Sequence, residues 1–133
     1  KVCIRSEVGY MELGEKDAAI FLIPGELFPE LFNGEFLTEK DSAHHRRASY
    51  KKVLSDLTDC RHRFVIGLCN DELGYIIPDN DFILNKDMPY IKSGDDRFGR
   101  NHYEETNSTG PLTARAILDG MQALIDSVKG ATP

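Results

Sequence analysis

Residues 64–78 read Phe64-Val65-Ile66-Gly67-Leu68-Cys69-Asn70-Asp71-Glu72-Leu73-Gly74-Tyr75-Ile76-Ile77-Pro78. Phe64 to Leu68 is apolar and of strand length. Asn70, Asp71 and Glu72 break it with turn residues, and Tyr75 leads a second short apolar piece that Pro78 ends. A rigid strand that stops in a cluster of polar groups is how α/β proteins present a site, because the following turn is free to aim side chains.

Upstream, Ala18 to Ile23 is an uninterrupted apolar run preceded by the turn tetrad Gly14-Glu15-Lys16-Asp17. The stretch from Val2 to Leu13 reads as one extended segment, so the two predict a hairpin with a buried second arm. A run without polar alternation is expected where layers cover both faces of a sheet. Pro24-Gly25 stops that strand, and Leu27, Phe28, Leu31 and Phe32 have helical spacing up to Asn33-Gly34. Glu26 is then placed in a first helical turn, where a carboxylate is favoured by the helix dipole.

Asp41-Ser42 is a candidate N-cap for a helix over residues 43–57, with Ala43, Tyr50, Val53, Leu54 and Leu57 inward. Its outer face carries His44, His45, Arg46, Arg47, Lys51 and Lys52, a solvated basic face that also suits peripheral contact with an anionic lipid surface. His44 and His45 diverge by about 100° on a helix and do not make a metal site. Downstream, residues 79–100 lack periodicity and predict a long loop. Residues 111–129 carry Leu112, Ala116, Ile117, Met121, Leu124, Ile125 and Val128 at amphipathic spacing, with Pro111 at the start and Gly130 and Pro133 at the end.

These elements predict an α/β fold, a mixed sheet flanked by helices. At 133 residues the chain fits one domain or one part of a larger α/β catalytic domain. It opens at Lys1 inside a strand-like segment with no initiator Met, which favours the second expectation. Hydrophobic content of 41% and charged content of 29% are those of a globular protein. A net charge of −6 argues against nucleic acid as a partner. Cys3, Cys60 and Cys69 form no paired framework and no CxxC spacing, and are expected to be reduced and mostly buried.

Three polar clusters follow strands or precede helices: Glu26, Asn70 to Tyr75, and His102 to Ser108. If the strands ending at Ile23 and Leu68 are parallel neighbours, Glu26 and Asn70-Asp71-Glu72 emerge at one carboxyl edge, where open α/β sheets bind ligands. Asp71 and Glu72 read as a turn and helix-start pair.

Pro24-Gly25-Glu26, Gly67-Leu68-Cys69-Asn70 with Gly74-Tyr75-Ile76, and His102-Tyr103-Glu104, in that order, resemble the C-terminal part of the catalytic domain of neutral, non-lysosomal ceramidases. The likeness is strongest to their uncharacterised bacterial relatives. The resemblance implies a zinc amidase that cleaves an N-acyl bond, with Glu26 and Tyr75 as metal ligands and Tyr103 as a catalytic residue at the substrate carbonyl. It also implies a small-molecule or lipid-amide substrate, and two histidine ligands and a serine outside these residues. His44, His45, His62 and His102 match none of them, so zinc is expected to bind weakly or not at all to this stretch alone. The separation of Tyr75 from Tyr103 exceeds the family's, the loop over residues 79–100 being inserted. The alternative from another class is a non-catalytic module whose same edge binds a small ligand or partner.

Overall fold

The structure, a computed structural model, describes residues 3–131. Val2 and Pro133, assigned above to the first extended segment and the end of the last helix, lie outside the described residues. The elements in order are β1 (Gly9–Leu13), β2 (Ala18–Leu22), β3 (Glu26–Leu27), α1 (Glu30–Asn33), β4 (His62–Ile66), β5 (Tyr75–Ile76) and α2 (Thr113–Ala131). Short 3-10 turns occupy Leu54–Leu57 and Tyr103–Asn107. β1 and β2 form the expected antiparallel hairpin, with Tyr10 opposite Phe21. β2 pairs in parallel with β4, Leu22 lying beside Ile66. The result is a small mixed sheet in the order β1-β2-β4, accompanied by helices, an α/β arrangement. β3 and β5 make a separate parallel pair.

The two faces of the sheet differ sharply. Alternation along each strand puts Tyr10, Ala19, Phe21 and Val65 on one face, and these enter the core with Leu31, Leu54, Leu57 and Ile76. Helix α2 closes that core. Its buried positions Ala114, Ile117, Leu118, Met121 and Ile125 recur every three or four residues, so one stripe meets the sheet. Full burial of a side chain such as Phe21 or Ile125 stabilises by about 1.5–3 kcal/mol. The other face carries Met11, Leu13, Ile20, Leu22, Phe64 and Ile66. Phe64 is 54% exposed and Ile66 48% exposed. The apolar run of β2 was expected to be covered on both sides; within this chain the helices cover one.

Residues 43–53 do not form the expected helix; only Leu54–Leu57 turn, as 3-10. Local side-chain bonds divert the backbone. The Ser42 hydroxyl accepts the amides of His44 (3.0 Å) and Arg46 (3.3 Å) and donates to the Asn80 carbonyl (2.6 Å). His45 takes φ +55°, and the Ala48 and Ser49 amides bond to the Leu37 carbonyl and the Asp79 carboxylate. The basic side chains therefore share no helical face, and Arg46 donates to the Asp79 carbonyl.

Two smaller expectations also change. The stretch from Glu26 opens as strand β3 rather than helix, because the Glu26 and Phe28 amides bond to the Gly74 and Ile76 carbonyls at 2.9 and 3.1 Å. The helix is limited to α1, closed by Gly34 in the left-handed region as the Asn-Gly pair suggests. Of the cysteines only Cys60 is buried; Cys3 is exposed and Cys69 intermediate, all three free.

Candidate functional site

The parallel pairing of β2 with β4 brings their carboxyl ends together, as the sequence suggested, and the two turns that follow are laced by backbone. The amides of Leu68, Cys69 and Leu73 bond to the carbonyls of Gly25 (3.1 Å), Ile23 (2.9 Å) and Pro24 (2.9 Å). Contact between these segments is too close for side chains. A Cβ on Gly67 would stand 2.8 Å from the Gly25 carbonyl oxygen, and one on Gly25 would stand 2.5 Å from that of Gly74. A Cβ on Gly74 would stand 1.8 Å from the carbonyl oxygen of Asn107. Gly74 also has φ +74° and bridges to Ser108, so its conformation and its contact both require glycine.

Those contacts set the three residues singled out above side by side. Glu26 is not at a helix N-terminus; it is the register partner of Tyr75 in the β3–β5 pair. The bridge at Gly74 holds the 3-10 turn Tyr103–Asn107 against β5, and the Tyr75 and Tyr103 hydroxyls lie 3.3 Å apart. The Tyr75 ring has edge-on neighbours in Phe28 (6.3 Å between centroids) and Tyr103 (5.9 Å). Glu26 is exposed, Tyr75 half-buried and Tyr103 57% exposed, so the group opens to solvent. The hydrogen bond with Tyr103, then desolvation, then the Glu26 charge push the Tyr75 hydroxyl up to about 12. Without a cation Tyr75 is a firm phenol beside a carboxylate. Two oxygen donors with an open side fit half of a four-coordinate zinc site.

Asn70, Asp71 and Glu72 play a different part. Leu68 and Asn70 take φ of +55° and +70° as the chain turns away from β4, and Asp71 accepts the Ser6 hydroxyl at 2.6 Å. No helix follows them, so the expected helix start is absent; the chain proceeds to β5.

A second cluster forms where Asp81 and Asp96 of the loop over residues 79–100 meet the polar segment that begins at His102, a meeting the sequence did not reveal. His102 is 1% exposed, its Nε2 3.3 Å from Asp96 and its Nδ1 3.1 Å from Glu105 and 3.5 Å from Glu104. The Asp96 side chain is wholly buried: its carboxylate accepts the Phe98 (2.8 Å) and Arg100 (2.9 Å) amides and meets the Arg100 guanidinium at 2.6 Å. Burial alone would raise its pKa, but those donors hold it well below the usual carboxylate range. Arg100 also pairs with Asp81 at 2.8 Å. Glu105 accepts the Ile83 and Leu84 amides, each at 2.6 Å. For His102, burial pulls the pKa down, but the adjacent carboxylates of Glu105 and Asp96 and the charges of Asp81 and Glu104 win and lift it to about 9.

No family model, no curated protein and no solved structure matches this chain. What its site can do rests on its own geometry. Glu26, Tyr75 and Tyr103 were visible in the sequence as motif positions, whereas Asp81 and Asp96 sit in a stretch without periodicity, and the sign of their meeting His102 is no more than a local density of aspartates.

Proposed function

We propose that this chain is part of a larger α/β catalytic domain of a ceramidase-like, zinc-dependent amide hydrolase, to which it contributes Glu26, Tyr75 and Tyr103. The observation that carries this reading is the convergence of those three side chains, from segments 26, 75 and 103, at the carboxyl edge of the sheet. Zinc held there with further ligands from outside these residues would polarise an amide carbonyl and acidify a bound water. Tyr103, exposed and hydrogen-bonded to Tyr75, is positioned to donate to the oxyanion that develops on the carbonyl. Glu26 contributes the negative charge that makes the pair a cation site.

The uncovered face of the sheet supports the same reading. Met11, Leu13, Phe64 and Ile66 make an exposed apolar surface on the side away from α2, of the kind that marks contact with further structure. In a larger domain a second layer would cover it, and the unbroken apolar composition of β2 would then be explained.

The test is hydrolysis of a fluorogenic N-acyl amide by the intact protein with zinc. Glu26→Gln and Tyr75→Phe are expected to lower bound zinc and turnover together, and Tyr103→Phe to lower kcat with zinc retained. Zinc content and turnover unchanged in Glu26→Gln would overturn the assignment and leave the edge as a binding surface without chemistry.

A further inference from the structure

We propose that Asp81, Asp96 and His102 form a binding site for one divalent transition-metal cation, with Arg100 as the counter-ion that the metal displaces. This site is separate from the Glu26–Tyr75 pair and does not depend on it. One ligand atom from each of the three residues lies within 4.8 Å of the other two, a separation that small movements close to a coordination sphere. Two carboxylate oxygens and an imidazole nitrogen are a donor set for manganese, iron or zinc rather than for calcium, which takes oxygen alone.

Two observations beyond the clustering point to a ligand. His102 is 1% exposed, and neither ring nitrogen has a hydrogen bond of good geometry although carboxylates flank both. An imidazole binds a metal only through a nitrogen that carries no proton, so a cation bound here would take the place of the proton on the nitrogen facing Asp96. The charge balance is the second. Asp81, Asp96, Glu104 and Glu105 face this ring or the guanidinium beside it, and all four side chains are at most 19% exposed. Against them stand Arg100 and, counted generously, a charged His102. Two negative charges are left over in a buried place, which a divalent cation would neutralise.

Arg100 can yield its position. Its side chain is half exposed, and its guanidinium already rests over the Phe98 ring at 5.0 Å. A surface cleft of about 410 Å³, lined by Phe36, Lys40, Asp81, Phe98 and Arg100, opens at this point and has room for water to complete the coordination sphere.

The experiment is a Mn²⁺ titration of the chain, followed by calorimetry and by paramagnetic loss of the His102 ring proton signals. One equivalent is expected to erase those signals before those of His44, His45 or His62. Asp81→Asn, which leaves the buried Asp96 carboxylate in place, is expected to weaken binding on the order of 100-fold, and Arg100→Gln to tighten it about tenfold. Glu26→Gln should change nothing, which separates this site from the proposed zinc pair. A His102 signal that survives saturating Mn²⁺, equal binding in Asp81→Asn, or weaker binding in a folded Arg100→Gln would each overturn the proposal. Should either variant fail to fold, the His102 signal of the unaltered chain decides.

Discussion

The hydroxyls of Tyr75 and Tyr103, 28 residues apart in the chain, stand 3.3 Å from each other. Neither ring is fixed by a neighbour in sequence; the pairing is imposed by backbone contact at Gly74, which bridges to Ser108 and has no room for a Cβ beside the Asn107 carbonyl. The bond is also the leading reason that Tyr75 titrates high. Tyr103→Phe is therefore expected to bring Tyr75 from about 12 back toward 10.0, read from the tyrosinate absorbance as pH rises. An unmoved Tyr75 would mean that the hydroxyls do not bond in solution.

Gly74→Ala should damage both fold and site. The new methyl would lie 1.8 Å from a backbone oxygen at φ +74°, a clash that no rotamer relieves. A loss of about 2 kcal/mol or more is expected in urea unfolding. In whatever folded state remains, Tyr75 should titrate as it does in Tyr103→Phe, because the turn carrying Tyr103 would be unseated.

The two faces of the sheet predict opposite outcomes for similar substitutions. Phe21→Ala removes a wholly buried ring and should cost about 3–5 kcal/mol. Phe64→Ser with Ile66→Thr, on the uncovered face, should each shift the stability of this chain by about 0.5 kcal/mol or less while reducing self-association in light scattering. A large loss of stability from the second pair would show that the face is covered in solution.

Alkaline pH should weaken the fold through Tyr10 and Tyr50. Burial against Phe21, opposed by the bond to Thr58 and aided by the bond to Glu12, pushes Tyr10 up to about 12. Burial likewise raises Tyr50, whose hydroxyl accepts the Asp79 amide at 2.7 Å. For an acid whose folded pKa is raised, the folded state favours the protonated form; this stability is complete below the unfolded value near 10 and is lost as pH climbs through about 12. Urea midpoints should fall over that interval, and less steeply in Tyr10→Phe.

Much of the sheet and the edge that holds Glu26 was legible because their signals are local. An apolar run of strand length stops at Pro24, a second stops at Asn70, and the polar residues beyond them mark the carboxyl ends. Helix α2 was legible for the same reason, its apolar spacing persisting over five turns. The stretch over residues 43–53 carries spacing just as helical, yet Ser42, Asp79 and Asn80 divert it through contacts made across 30 and 38 residues. Periodicity cannot register such competitors. The His102 cluster was hidden on similar grounds, since Asp81 and Asp96 come from an aperiodic loop and meet His102 only after that loop has folded.

Gly67, Gly25, Gly74 and the Asn107 carbonyl press on one another in series, backbone on backbone. In a saturation-mutagenesis map, the three glycines should appear as columns emptied of every alternative, while Asp71 and Glu72 between them accept wide replacement. Selection on this region would then act through spacing before chemistry: variation is closed where the chain touches itself and open where its charges face water.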